Sequence, residues 1–471
     1  MSLFILMFGA LQRLHIYSVP KQTHLISINR TTLSILKYYK DKCIYYICDL
    51  EIKKNKLTSQ TNMSKQHEII LIQVSGEDKP GITATVTSIL AKYNANILDI
   101  GQADIHDTLS LGILFEVNKN NESAPILKDL LFAIYEMGLQ VKFKPISEDE
   151  YEKWVDLQGK NRYIVTVLGK KLTAVQISTV TKVLYEEGLN IDNITRLTGR
   201  IHIAQTDKQS RSSVQMSIRG NLKDKAVLQM KFINISQNLG IDIGFQEDNM
   251  YRRNRRLVCF DMDSTLIQTE VIDELGHRHG VGKQISEITE RAMRGEIDFN
   301  ESFMQRVALL EGLDESVMQN IAENLPITDG AERLISTLKA FGYKTAILSG
   351  GFTYFGKHLQ KKLGVDYVYA NELEIKDNKL TGKHVGDIVD GKRKAELLQH
   401  LAQMENLNIN QVIAVGDGAN DLPMLNLAGL GIAFHAKPIV KENAQQSIST
   451  IGLDGILYFL GFNDSYIIDN N

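Results

Sequence analysis

Three short apolar runs in the C-terminal half, each ending abruptly in groups that do chemistry, constrain this chain more than any other feature. Leu257-Val258-Cys259-Phe260 runs into Asp261-Met262-Asp263-Ser264-Thr265-Leu266. Ala346-Ile347-Leu348 runs into Ser349-Gly350-Gly351-Phe352, and Val412-Ile413-Ala414-Val415 into Gly416-Asp417-Gly418-Ala419-Asn420-Asp421. Runs this short and unbroken suit strands buried on both faces, as in a parallel sheet flanked by helices. In such sheets ligands bind beyond the carboxyl ends of the strands, so the three endings belong to one cleft. The i, i+2 spacing of Asp261 and Asp263 puts them on one face of a strand, and at a strand's end both can face the cleft.

Paired carboxylates there suit a hard cation and covalent phosphoryl transfer. One oxygen of Asp261 attacks phosphorus while Mg2+ screens the repulsion between carboxylate and phosphate. Asp263 protonates the departing alkoxide and later deprotonates the attacking water. Ser349 and its glycines suit phosphate oxygens, held by Oγ and backbone N–H. Lys394, opening a helix with Ala395, Leu398 and Leu401 on one face, can neutralise the transferring phosphoryl group. Lys392, Arg393 and Lys394 are adjacent, and only one of them should reach phosphate. Taken alone, Glu270 and Arg306 read as surface charges, and His277, His279 and His384 as structural or surface residues.

Upstream, one pattern occurs twice. From Glu68 the order is strand, helix, strand, strand, helix, strand, with Ile82, Val86, Ile89, Leu90 and Tyr93 on one helix face. Val86, Ile89 and Leu90 recur as Val180, Val183 and Leu184, and Asn96-Ile97 as Asn190-Ile191. Two copies make a pair of small domains, since a solenoid needs shorter and more numerous units.

These residues carry two resemblances. The βαββαβ order, with Asp78-Lys79-Pro80-Gly81-Ile82 between first strand and first helix, resembles the ACT domain, an amino-acid-binding regulatory module. The likeness implies a ligand carboxylate at the backbone amides beside Gly81 and its ammonium at Asp78. The second copy has Leu172, Ala174 and Val175 at the equivalent places, which favours a structural or dimerising role. The strand-end set resembles the haloacid dehalogenase superfamily. Together with Glu270-Val271-Ile272-Asp273-Glu274, Ala292-Met293, Asp298-Phe299 and Arg306-Val307 it resembles the phosphoserine phosphatase family.

That resemblance implies Asp261 as nucleophile and Asp263 as acid/base. Mg2+ would be held by the Asp261 side chain, the Asp263 backbone carbonyl and Asp417. Ser349, Gly350 and Lys394 (from its interval to Asp417) would bind phosphate, with Asn420 and Asp421 supporting that shell. Glu270 would face the substrate ammonium and Arg306 its carboxylate, while Met293 and Phe299 form an apolar wall. The implied substrate is O-phospho-L-serine, in the last step of L-serine biosynthesis, with L-serine as an effector at the ACT copies.

The expected fold class is thus α/β: a Rossmann-like parallel-sheet phosphatase core with a helical cap, preceded by two α+β ferredoxin-like ACT-type domains. The expected parts are an extension over 1–62, ACT-like copies over 66–146 and 160–247, and the phosphatase over 255–465 with its cap at about 270–325. Met63 is the expected natural start. With 53 Lys plus Arg against 56 Asp plus Glu, the net charge of −3 offers no footprint for nucleic acid. No apolar run is long enough to span a membrane. The start lacks basic residues before Leu3, against a signal peptide. Cys43, Cys48 and Cys259 build neither a disulfide framework nor a zinc site, so a reducing, cytoplasmic setting is expected, while the ACT resemblance implies a homodimer. An amino-acid sensor with a vestigial catalytic domain is the rival reading, and it predicts decay of at least one motif. None is decayed.

Overall fold

The structure, a computed structural model, describes residues 68–117, 122–157, 161–200 and 211–467. The expected extension over 1–62, with Cys43, Cys48 and the start at Met63, lies outside them. The chain divides into two units, one ending at Gln158 and the other beginning at Gly159.

In the first unit β1 (Glu68–Glu77), β2 (Asn96–Ile105), β3 (Thr108–Val117) and β4 (Gln140–Ile146) form an antiparallel sheet in the order β2-β3-β1-β4. Alternation decides which face is covered. Leu109, Leu111, Ile113, Phe115 and Val117 point inward along β3, and Ile70, Ile72 and Val74 do so along β1. They meet Ile82, Val86 and Leu90 of helix Ile82–Lys92 and Ile126, Leu130 and Ile134 of helix Ser123–Glu136. Each fully buried Ile or Leu contributes roughly 1.5–3 kcal/mol.

The second unit repeats that topology with β5 (Arg162–Gly169), β6 (Asn190–Arg196), β7 (Ser212–Arg219) and β8 (Asp242–Glu247) in the order β6-β7-β5-β8. Here β5 is buried on both faces, because this copy is built onto the C-terminal sheet. The Asp242 carboxylate accepts from the amides of Ser449 and Thr450 at 2.8 and 2.9 Å. The Gln446 side chain answers the backbone of Phe245, accepting from its N–H at 2.8 Å and donating to its carbonyl. The copies also differ at the first helix. Gly81, at φ 98°, starts helix Ile82–Lys92 without a side-chain cap, whereas Thr173 and Gln176 close a capping box on helix Ala174–Glu186.

The C-terminal sheet has β9 (Leu257–Phe260), β10 (Lys344–Phe352), β11 (Tyr367–Lys376), β12 (Lys379–Val385), β13 (Val412–Gly416), β14 (Leu430–Phe434) and β15 (Gln446–Ile448), ordered β12-β11-β10-β9-β13-β14-β15. All neighbours are parallel except β11 and β12. The apolar runs fill both faces as expected. Val258, Phe260, Ile347, Ile413 and Val415 pack on one side, and Leu257, Cys259, Ala346, Leu348, Val412 and Ala414 on the other. Register puts Phe260 beside Ile347 and Val415, so the three chemical endings share one rim.

Between β9 and helix Ala331–Ala340 lie four helices, Val271–His279, Gly282–Met293, Phe299–Ala308 and Glu315–Glu323, where the cap was expected. The strand, turn and strand read over Glu372 to Gly386 is a hairpin turning at Asp377 and Asn378, both with positive φ. Its first strand starts earlier, at Tyr367, as a member of the main sheet. Among the described residues no helix is long and apolar enough to cross a membrane.

Candidate active site

The strand β9 stops before the carboxylates, so strand geometry does not align them. A five-residue wide turn over Met262–Leu266 does, with Ser264 at φ 55° and the Ile267 amide donating back to Met262 O at 3.1 Å. Asp261 is anchored by its own N–H on Val415 O at 2.9 Å, and its Oδ1 accepts from the Met262 amide at 2.7 Å. Asp263 accepts from the Val271 amide at 2.9 Å, and the turn brings its Oδ2 against Gly351, where a Cβ would overlap it. A side chain there would displace that carboxylate. Both carboxylates are buried, at 6% and 9% exposure.

Lys394, in the first turn of helix Gly391–Met404, is fully buried with Nζ 2.9 Å from Asp261 Oδ1 and 2.7 Å from Asp421 Oδ1. Lys392 points away, its side chain 85% exposed beside Glu396. Asp421 also accepts from the amides of Asp417 and Gly418 at 3.1 and 2.9 Å, and Thr265 Oγ1 donates to Asp417 Oδ1 at 2.9 Å.

Oxygens of Asp261, Asp417 and Asp421 gather close enough to hold one metal ion. Sequence reasoning gave Asp421 only a supporting place. Its partners explain both parts, since Lys394 and two amides already engage its oxygens. With Asp263 these are four carboxylates around one ammonium, Lys394, among the described residues. Burial first, then the neighbouring Asp421, holds Asp261 well above the usual carboxylate range. Burial and Glu270 push Asp263 up to about 8, and burial and Asp421 push Asp417 up to about 7. Burial alone would lower Lys394, but Asp261 and Asp421 raise it above its ordinary value. A pocket this short of positive charge fits a divalent cation.

On β10, Ser349 Oγ accepts from the Gly351 amide at 2.9 Å, which leaves the hydroxyl hydrogen for another acceptor. Gly350 lies against Phe299, whose Cζ would be 2.9 Å from a Cβ placed there. Asn420, half-buried, folds its side-chain oxygen toward Gly418.

From the cap, Glu270 is exposed and accepts from Ser264 Oγ at 2.9 Å. Arg306 is half-buried, with Nε on Ser302 O at 3.3 Å. Burial lowers its guanidinium, while Asp273, Glu270 and Asp263 oppose that shift. The expected apolar wall is only half formed. Met293 is 64% exposed, with Lys437 Nζ 3.7 Å from its sulfur, because it ends its helix away from the packed cap core. The histidines are structural: His279 bonds Glu311 O, His384 packs edge-on to Phe303, and His277 lies against Gly282.

In the first unit Asp78 is exposed, its amide on Asp107 O at 2.9 Å, and Gly81 opens onto free space. Sequence reasoning did not find Asn371, a buried amide in β11. A polar residue depleted from strand interiors was the available signal.

A family model described as haloacid dehalogenase-like hydrolase matches residues 255–429, and one described as ACT domain matches residues 68–144. A phosphoserine phosphatase of Streptomyces coelicolor is 38% identical, covering 83% of this chain and 92% of its own. One of Mycobacterium tuberculosis is 37% identical, covering 83% and 93%. The crystal structure of a probable phosphoserine phosphatase from Vibrio cholerae, unliganded, has a TM-score of 0.51 at 35% identity, covering 63% of this chain and 86% of that one. By its strand-end carboxylates and by these likenesses over most of both chains, the chain belongs to the phosphoserine phosphatase family of haloacid dehalogenase-like hydrolases.

Proposed function

We propose that this chain hydrolyses O-phospho-L-serine to L-serine and phosphate through a phospho-Asp261 intermediate, the last step of L-serine biosynthesis. The observation that carries it is Asp261 at the centre of the strand-end rim, buried, 2.9 Å from Lys394 and one turn from Asp263. Asp261 forms the new P–O bond as the bond to the serine oxygen breaks. Asp263, whose raised affinity for a proton suits an acid at neutral pH, protonates that oxygen. It then takes a proton from the water that attacks phosphorus and frees Asp261.

Lys394, Ser349 and Gly350 hold the phosphoryl oxygens, with Asn420 and Asp421 supporting them. Mg2+, held by Asp261, Asp417 and the Asp263 carbonyl, would supply charge neutralisation between carboxylate and phosphate. Glu270 takes the substrate ammonium and Arg306 its carboxylate, while Phe299 and Met293 line the apolar side.

Phosphate release across a panel of phosphomonoesters, with and without Mg2+, tests this reading. Phosphoserine is expected to lead, and equal rates on unrelated phosphates would overturn it. Phosphoethanolamine, which lacks the carboxylate, isolates Arg306. In Arg306→Ala, kcat/KM on phosphoserine is expected to fall about 30- to 100-fold, the worth of a charge-assisted pair. Activity on phosphoethanolamine should barely change.

The finer parts of the proposal concern regulation and assembly. L-serine binds the first ACT copy, supported by the uncapped helix start at Gly81 and the exposed Asp78. Inhibition by serine is then lost in Asp78→Ala, and inhibition that persists there would count against the site. The protein works as a cytoplasmic homodimer.

A further inference from the structure

The phosphate-facing segment Ser349-Gly350-Gly351 lies where β10 loses its ladder to β11. Pairing runs through Leu348↔Tyr369, breaks, and resumes at Phe352↔Asn371. Backbone groups inside such a break need other partners. The Gly350 carbonyl finds one in the side chain of Asn371, whose Nδ2 donates to it at 2.8 Å. The other end of the same amide accepts from the Val389 N–H at 2.8 Å. A carbonyl can only accept and an N–H only donate, so the orientation of this amide is fixed by its partners. Asn371 is 2% exposed, so water does not compete for either bond.

We propose that Asn371 is a positioning residue for phosphoryl transfer, acting through the Gly350–Gly351 peptide. Gly350 C=O and Gly351 N–H belong to one peptide plane. Asn371 holds the first, and the second donates to Ser349 Oγ. Fixing the plane therefore fixes which side of the Ser349 oxygen is occupied, and the hydroxyl hydrogen is left to point at a phosphoryl oxygen. Through Val389 the same amide reaches the segment before Asp390, which caps the helix that presents Lys394. One side chain thus sets the relative position of two phosphate contacts on different elements. A side chain of the same shape without the amide cannot both donate to the first point and accept from the second.

This inference rests on the reading of Ser349 as a phosphate contact, and a double-mutant cycle separates the two. Asn371→Asp keeps size and the Val389 bond but turns a carboxylate oxygen toward the Gly350 carbonyl. It is expected to lower kcat on phosphoserine about 100-fold with KM little changed, the loss typical of a contact misplaced by about 1 Å. Ser349→Ala should lower kcat on its own, and adding Asn371→Asp to it should cost little more, because both act through one hydroxyl. Two independent, multiplying losses would overturn the proposal, as would wild-type kcat in Asn371→Asp. Wild-type kcat in Ser349→Ala would instead sink the phosphate reading. Should the Asn371 variants not fold, a crystal structure of the wild-type chain with inorganic phosphate decides. The Gly350 carbonyl must remain on Asn371 while Ser349 Oγ meets phosphate, and a flipped peptide would refute it.

Discussion

Asp261→Asn is expected to abolish phosphoserine hydrolysis, by about 10^4-fold or more, as removal of a nucleophile does. The change is isosteric and deletes the attacking oxygen's charge. The bond to the Met262 amide can persist through the amide oxygen, so the turn over Met262–Leu266 stays in place. Stability should move the other way. The folded protein holds Asp261 well above its ordinary value because burial and Asp421 disfavour the charged form. A carboxylate whose folded pKa is raised costs stability as pH climbs from its unfolded value through the folded one. In Mg2+-free buffer near neutrality, Asn at this position should therefore unfold at no lower urea concentration than the parent. Phosphate release and urea midpoints on the same preparations measure both. Activity within tenfold of the parent would remove Asp261 from the mechanism, and a lowered midpoint would mean its charge is well accommodated.

Much of this site was legible in the sequence because its signal is local. Apolar runs ending in Asp261, Ser349 and Asp417 needed only the burial of short strands to be placed on one rim. The repeat of Val86, Ile89 and Leu90 as Val180, Val183 and Leu184 likewise foretold two sheets of one topology. What was missed depends on partners distant in sequence. Asn371 matters through backbone atoms of Gly350 and Val389, and nothing near it announces them. Lys394 was chosen over Lys392 from its interval to Asp417, whereas which of the two is buried is set by the packing of their helix. The alignment of Asp261 with Asp263 came from a turn with positive φ at Ser264, a residue type that seldom adopts it, rather than from strand pleating. Met293 is more exposed than a wall residue was expected to be, because side-chain packing at a helix end is not set by helical period. The second repeat's attachment was not read, although Ile164-Val165-Thr166-Val167-Leu168 is nearly continuous in apolar character, as a strand covered on both faces must be.

Lys394→Met should damage both chemistry and fold, and the pH dependence distinguishes the two. Methionine retains the apolar stem but removes the one ammonium that, among the described residues, lies within bonding distance of Asp261 and Asp421. Loss of a preorganised contact to the transferring phosphoryl group is expected to lower kcat by about 10^2- to 10^3-fold. Removing one partner of a fully buried ion cluster costs about 3–5 kcal/mol, since the remaining carboxylates are left uncompensated. Lys394 itself has a folded pKa above its unfolded value, so its contribution is fully present below the unfolded lysine pKa. Its loss is thus felt throughout the neutral range. Asp261, Asp263 and Asp417 bind protons more tightly in the folded state than in the unfolded one, so the variant's deficit should shrink toward acid and grow as pH rises. Urea midpoints of parent and variant at pH 5 and pH 8 read this directly. Arginine should not rescue, because a planar guanidinium does not fit a fully buried ammonium site. Lys392→Met, at an exposed side chain, should leave both activity and midpoint unchanged. A variant at Lys394 that unfolds like the parent at both pH values would show that Asp261 and Asp421 share the rim without needing its charge.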